Sequence, residues 1–458
     1  MKRFALLLVV AANLLGVVTS AATRPRYGGT LRVTTRIAPT SLDPAVGQSE
    51  SIAWHSISPL IFDSLVTLDD RGQLHPGLAV SWQSEPGNQR WQFQIRSGVK
   101  FSDGTPVTPD SVAASLRAAN PRWKVFSAGD SVIIECDPPD SQLPLELALP
   151  RYAIARRDAG RLTGSGPFVV NRWDPGKRLV LTAREEYWSG RAFVDVIDIE
   201  MGQGFREQLV ALDANKADVV ELAPEQARRG VSDTYHVETS APVELMALVF
   251  TKDWQTSADP ESEDARLHRA LALSIDRTSM NEVLLRGGGD PAGGLLPNWM
   301  TGYSFLFPAT ADLNRAQQLR AEFHQTGSLL LSYDAADPLE RVVAERVLLN
   351  ARDAGISLQL TGSYAPDVRL IRLPLASVDV QISLSDLAAR LGLPQPRFSG
   401  SGASDTYAAE NALLQMQRAI PLLYLRTAVG LAPDVRNWTA SRDGNWHLPD
   451  LWLASEKP

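Results

Sequence analysis

The chain has 458 residues, a formal net charge of −7, 44% hydrophobic residues and 21% charged residues. A length of this order holds two or three domains, and the ordinary balance of apolar and charged residues excludes wholesale disorder and a collagen-like fibre. Mild acidity without a dense Lys/Arg run argues against nucleic acid as the partner, and the one cysteine, Cys136, leaves no internal disulfide and no multi-cysteine zinc or iron–sulfur site.

Met1-Lys2-Arg3 is a short basic start, Phe4 to Val18 is apolar apart from Asn13, and Thr19 to Ala22 are small. This is the layout of a cleaved secretory signal, with cleavage expected after Ala22. The apolar stretch is shorter than the roughly 20 residues that a spanning helix needs. No cysteine follows the expected cleavage point to carry a lipid, so the mature chain is expected to be exported to a periplasm.

Gly28-Gly29 leads into a strand at Thr30 to Val33, and Ser41-Leu42-Asp43-Pro44 reads as a turn. Ile57 to Leu68 is an apolar run with acidic and Ser breaks. Trp91 to Ile95 alternates with period two, as a half-buried strand does. Thr108 is a good N-cap and Pro109 suits the first helical position, with Val112, Leu116 and Ala119 following at helical spacing. Val132 to Cys136, Phe168 to Val170, Leu179 to Leu181 and Val194 to Ile199 read as strands. Phe205 to Asp213 reads as a short helix with Asn215 as its left-handed end. Later segments turn helical: Leu267, Leu271 and Ile275; Leu313, Ala316, Leu319 and Phe323; a long helix from Asp337-Pro338 to Gly355; and Ala408 to Ala419. Short strands intervene at Leu329 to Leu331, Ser357 to Leu360 and Leu422 to Leu425. Leu384 to Ser404, rich in Gly, Pro and Ser, is expected to be a mobile loop. Strands alternating with helices make the fold class α/β.

A search for chemistry returns little. No two of the six histidines are closely spaced, so there is no local metal motif. Gly287-Gly288-Gly289 is followed by Asp290-Pro291 rather than Lys-Ser/Thr, which removes the phosphate-loop reading. Gly402 to Thr406 fails as a nucleophile elbow at its last position. Cys136 sits in a strand-like run and reads as a buried thiol.

Tyr27-Gly28-Gly29-Thr30-Leu31-Arg32-Val33, Pro59 to Val66, Leu74 to Trp82 and the long block Trp91 to Thr108 resemble, in order, the family 5 extracellular solute-binding proteins, the peptide and nickel receptors of ABC importers. Gly164-Ser165-Gly166-Pro167-Phe168, Tyr187-Trp188-Ser189-Gly190, Asp264 to Leu271 with Ile275-Asp276-Arg277, Gly287 to Tyr303, and Ile420 to Tyr424 continue the resemblance over nearly the whole chain after the leader. It implies a two-lobed periplasmic binding protein fold, mixed sheets with flanking helices, closing over a ligand. Mapped onto this sequence, residues 1–22 are the signal peptide, 23–66, 164–245 and 431–458 form lobe 1, 67–163 an extra domain of lobe 1, and 246–430 lobe 2. The resemblance further implies a monomeric, non-enzymatic receptor, without cofactor or metal, that captures a peptide or other small solute for a membrane permease. A non-transport sensor or chaperone-like protein on the same fold is the alternative, and an exported enzyme a more distant one. Ser51 and Trp54 of lobe 1, Met246 near the hinge, Trp299 and Tyr303 after the glycine run, and Tyr424 near the last strand are the expected ligand-binding residues.

The sequence departs from the family pattern in lobe 2. Family members carry acidic and aromatic residues before the last helix that hold a peptide's amino end. Here Ser377 to Ile382 passes quickly through Asp386 and Pro394 to Tyr407 without a match to that element, and Thr251 replaces the family's Asn. A peptide ammonium without a buried carboxylate would be desolvated without a partner, so a small or differently charged solute, or a degenerate receptor, is expected; the sparse histidines do not favour nickel itself, although a chelated metal could bind through few direct contacts.

Overall fold

Positive φ angles at Gly28 and Gly29 release the chain into strand β1 (Thr30–Thr34), whose Leu31 and Val33 are buried. The computed structural model describes residues 24–46, 52–158, 160–229, 235–251, 263–303, 306–322, 327–335, 337–362, 365–415, 417–439 and 441–454. The leader-like residues 1–22, Ser51 and Phe323 lie outside the described residues. Strands β2 (Phe168–Asp174), β3 (Arg178–Ala183), β4 (Val196–Glu200), β5 (Val219–Leu222), β6 (His236–Phe250), β7 (Gly289–Pro291), β8 (Leu329–Ser332), β9 (Leu358–Leu360), β10 (Val368–Pro374) and β11 (Ala419–Leu431) join β1 in an 11-stranded sheet. Its order is β2-β3-β4-β1-β5-β11-β6-β10-β8-β9, with β7 on β11. β1 runs parallel to β4 and β5, and β8 runs parallel to β9 and β10. Between these two parallel regions lie the long antiparallel strands β6 and β11.

Three apolar cores hang on this frame. One gathers β1, β3 to β5 and helix α1 (Ile52–Ile61) with the chain end around Trp446 to Leu453. A second gathers Leu245 to Phe250, helices α3 (Glu263–Ser274), α4 (Arg277–Leu284) and α5 (Pro338–Asp353), and Ala419 to Leu425. Leu65 to Ile154 build the third around a four-stranded antiparallel sheet (Ala79–Ser84, Arg90–Ile95, Ser131–Glu135, Lys124–Ala128) and helix α2 (Pro109–Ala119). Strands β6 and β11 each contribute to the first two cores, at opposite ends.

Local chemistry sets the element ends. Thr108 and Ser111 form a reciprocal capping box at the start of α2, with Pro109 at its first position. Asp337 caps α5 through Leu339 N at 2.8 Å, and Gly355 at φ +76° follows its end. Asn215 takes the left-handed conformation read from the sequence. Cys136 is buried, and burial, with Asp140 and Glu146 nearby, pushes its thiol up to about 12.

Two expectations are corrected, and one apolar run is resolved into its elements. Leu384 to Ser404 is not a loop throughout: helix α6 (Val380–Arg390) occupies its first part, capped by Asp379 on Ile382 N at 2.9 Å, with Leu384, Leu387 and Ala388 buried. The Gly, Pro and Ser residues that suggested a loop cluster after it. Helix α7 is Ala403–Gln415, and Ala419 already opens β11. Ile57 to Leu68 divides into the end of α1 and a short strand, Val66–Leu68.

The motif blocks converge at the junction of the first and third cores. Half-buried Asp63 accepts hydrogen bonds from Ser165 Oγ at 2.8 Å, Tyr187 Oη at 2.6 Å and Trp188 Nε1 at 3.0 Å. Burial raises its carboxyl, and these three donors oppose the rise. A Cβ on Gly164 would lie 1.9 Å from the Ile61 carbonyl oxygen, and one on Gly166 would lie 2.6 Å from the Ile61 carbonyl carbon. Gly164→Ala is therefore expected to lower unfolding free energy by about 3 kcal/mol, measured by urea denaturation. An unchanged midpoint would show that the Ile61 backbone can yield.

Candidate functional site between the lobes

In open α/β sheets ligands meet the carboxyl ends of parallel strands, and here those ends face across a seam. Arg36, just past β1, reaches Asp337 at the start of α5 at 3.5 Å. Arg372 on β10 bonds both Asp337 and Glu244 of β6. Glu221 on β5 accepts from the Arg36 backbone N–H. The Arg36 guanidinium also lies 4.4 Å above the Phe205 ring. Burial alone would raise Asp337, but Arg372 and Arg36 outweigh it and hold the carboxyl below its ordinary range.

A second charged group lies where α6 meets the third core. Ile382, Asp386 and Arg390 are four residues apart, so one helix face presents all three. Ile382 is buried among the side chains of the third core. Asp386 accepts from Arg151 Nη1 at 2.7 Å on one oxygen and from Arg390 Nη1 at 3.1 Å on the other. Arg390 also donates to the Pro374 carbonyl at 3.0 Å. The Arg151 side chain is 46% exposed while that of Asp386 is 7% exposed, so the group presents a guanidinium and hides its carboxylate. Half-buried His55, on α1, completes it. Burial drives its imidazole down to about 4, with Asp443 and Asp386 opposing and Arg390 and Arg151 reinforcing the fall.

The expected site residues divide. Tyr303 and Trp299, after the glycine run, and Tyr424, on β11, all fasten that segment: Tyr303 Oη donates to Glu410, Trp299 Nε1 donates to the Pro242 carbonyl at 2.8 Å, and Tyr424 Oη lies 2.6 Å from the carbonyls of Gly294 and Leu296. Glu410, fully buried, also accepts from the backbone N–H of Leu295 and of Leu296, and burial raises its carboxyl. Met246 is buried in the second core, paired across β6 with Leu423 and Arg372. Trp54 is apart from these, 3% exposed in the first core. Sequence reading missed His55, Arg151, Asp386, Arg390 and Asp443. The one usable signal was the i, i+4 pair Asp386/Arg390, hidden in a stretch read as a loop. Among the described residues no cluster of His, Cys, Asp or Glu could hold a metal ion.

Two α/β lobes joined by paired strands, with charged groups across the seam, define a two-lobed binding protein. Residues 73–397 match the model for bacterial extracellular solute-binding proteins, family 5 middle, and the chain belongs to this family. It is 32% identical over 327 residues to the uncharacterized protein YhjP of Bacillus subtilis, a match covering 68% of this chain and 52% of that protein. The chain spans about half the length of this and comparable curated relatives. NikA from Staphylococcus aureus in complex with Ni(L-His)2 superposes with a TM-score of 0.77 at 15% identity, over 93% of this chain and 100% of that one. The oligopeptide-binding protein AppA from Bacillus subtilis, in complex with a nonapeptide, gives 0.77 at 16% identity, over 94% and 100%. These likenesses show the two-lobed fold.

His55 gives a pH test. Its folded pKa of about 4 lies below the ordinary 6.5, so the unfolded chain binds the extra proton first as pH falls. The stabilisation is complete above about 6.5 and is lost on the way down to about 4. Relative to His55→Gln, the wild type should lose roughly 2 kcal/mol between pH 7 and pH 4.5, read from denaturation curves at both pH values. Parallel losses in the two proteins would mean that the imidazole is not buried neutral.

Proposed function

We propose that the protein is the solute-binding component of an ABC importer, exported by its leader to the periplasm, a monomer that closes two lobes over a small solute and presents it to a membrane permease. The apolar cores support a division into lobe 1 (23–66, 164–245 and 431–458), its extra domain (67–163) and lobe 2 (246–430), since each core draws mainly on one of these units. Among the described residues no helix is long and apolar enough to cross a membrane. Tyr303, Trp299 and Tyr424 position the segment that borders the hinge, and Ser51 and Trp54 stand next to His55 in sequence; all five, with Met246, remain in the proposed ligand-binding set.

The observation that carries the reading of the solute is the state of Asp386. Both of its oxygens are taken by arginines, so it does not serve as an anchor for an ammonium. The exposed member of the group is the Arg151 guanidinium, which favours a carboxylate, such as the carboxyl end of a short peptide or an amino-acid chelate of a metal. The nonapeptide held by AppA and the nickel–histidine complex held by NikA are the two corresponding probes.

Native mass spectrometry of the mature protein, purified without added solute, should show an adduct that is lost on denaturation. Isothermal titration with Ni(L-His)2 and with short peptides should then show binding that Arg151→Ala weakens at least tenfold and Arg151→Lys weakens less. Full affinity in Arg151→Ala would remove the carboxylate assignment, and heat only from solutes lacking an acidic group would overturn it.

A further inference from the structure

We propose that Arg36, Asp337, Arg372 and Glu244 form a polar latch that holds the two lobes shut without help from a solute. Asp337 is its centre. One carboxylate oxygen caps helix α5, and the other receives a guanidinium from each lobe: Arg36 from the first at 3.5 Å and Arg372 from the second. Arg372 is fixed from behind by Glu244, which its Nε meets at 3.1 Å. Arg36 is fixed on its own lobe by the Glu221 contact to its backbone and by the Phe205 ring below its guanidinium.

Both halves of the latch are thus held in place before they meet, so closing it orders few additional side-chain rotamers, the cost that makes most surface ion pairs nearly neutral. The side chains are shielded as well: Asp337 is 6% exposed, Glu244 15%, Arg372 20% and Arg36 30%. Within the latch, opening would leave Asp337 with Arg372 and separate the Arg36 contact, while the Arg151–Asp386 pair and Ile382 in the third core also join lobe 2 to the extra domain. It lies apart from the Arg151–Asp386–Arg390 group that the proposed function assigns to the solute, and it does not depend on what that solute is.

The test labels Val210→Cys on the first lobe and Val342→Cys on the second, both exposed, while buried Cys136 stays unlabelled. Interlobe distances are measured by pulsed electron resonance on the solute-free full mature chain. The wild type should be mostly closed at low salt. Arg36→Ala and Asp337→Asn should each raise the open fraction at least fivefold, and the double variant should add little to either. Asn keeps the capping oxygen, so a cooperative unfolding curve is expected in that variant. Arg178→Ala breaks the Arg178–Asp198 pair within lobe 1 and should leave the distances unchanged. A wild type that is open at low salt, or distances that neither seam substitution alters, would overturn the latch.

Discussion

Everything in this molecule hangs on one interrupted pairing, that of β6 with β11. The register runs from His236↔Leu431 to Val249↔Ala419, with two irregularities between Thr239 and Glu244 and a further one between Met246 and Ala247. On one side of the break the strands serve the first core, and on the other the second. Pro242, which has no N–H to give, sits at the break. Side chains replace the lost ladder bonds there: Ser240 Oγ accepts from Thr427 N and Thr427 Oγ1 at 3.0 Å each, Arg426 donates to the Ser240 carbonyl at 3.3 Å, and Trp299 donates to that of Pro242. Contacts to side chains tolerate rotation better than a regular ladder, so the sheet is continuous where it must be rigid and loosely tied where the lobes must turn.

The blocks that carry the family resemblance serve as scaffold. Asp63, Ser165, Tyr187 and Trp188 come from three separate blocks and meet in one half-buried hydrogen-bonded group. Gly294 has the same logic in the second lobe. A Cβ there would lie 2.4 Å from Glu410 Oε1, so glycine is what lets the segment reach the buried carboxylate that holds it. Arg277 is fully buried and donates through Nε to the Pro421 carbonyl and through Nη1 to those of Ala272, Ile275 and Pro308. Each of these groups is costly to leave unpaired, which ties the sequence at these points to one backbone arrangement.

That division explains how much could be read beforehand. Caps, turns and the alternating or helical apolar patterns are local, so Thr108, Asn215, Asp337-Pro338 and the Trp91 to Ile95 strand were recoverable from short windows. The α/β class followed from strands alternating with helices, and the two-lobed fold from the family resemblance that blocks such as Trp91 to Thr108 carry. The charged groups of the seam were not recoverable, because they join residues such as Arg151 and Asp386, or Arg36 and Asp337, that meet only after two lobes have folded. Aromatic residues drew attention instead, and Tyr303, Trp299 and Tyr424 are aromatic residues whose polar atoms are bonded to the protein itself. The composition after Gly392 also masked α6, and with it the helix face that carries Asp386 and Arg390.

The two charged groups of the seam differ in a way that assigns them different work. In the Arg36 group the least exposed member is an anion, Asp337, surrounded by cations from both lobes, and every charge is matched within the protein. In the Arg151 group the anion is likewise buried and doubly matched, but one cation remains half in solvent. A matched network gains nothing from a further ion and is suited to hold surfaces together. A half-exposed guanidinium beside a neutral imidazole, in a site that closure would partly dehydrate, gains from an incoming carboxylate, because the same loss of water that penalises an unpaired charge strengthens a paired one. On the proposed function, closure and capture are separable in two different charged groups of one seam, and the group whose charge is left open sets the chemistry of the solute.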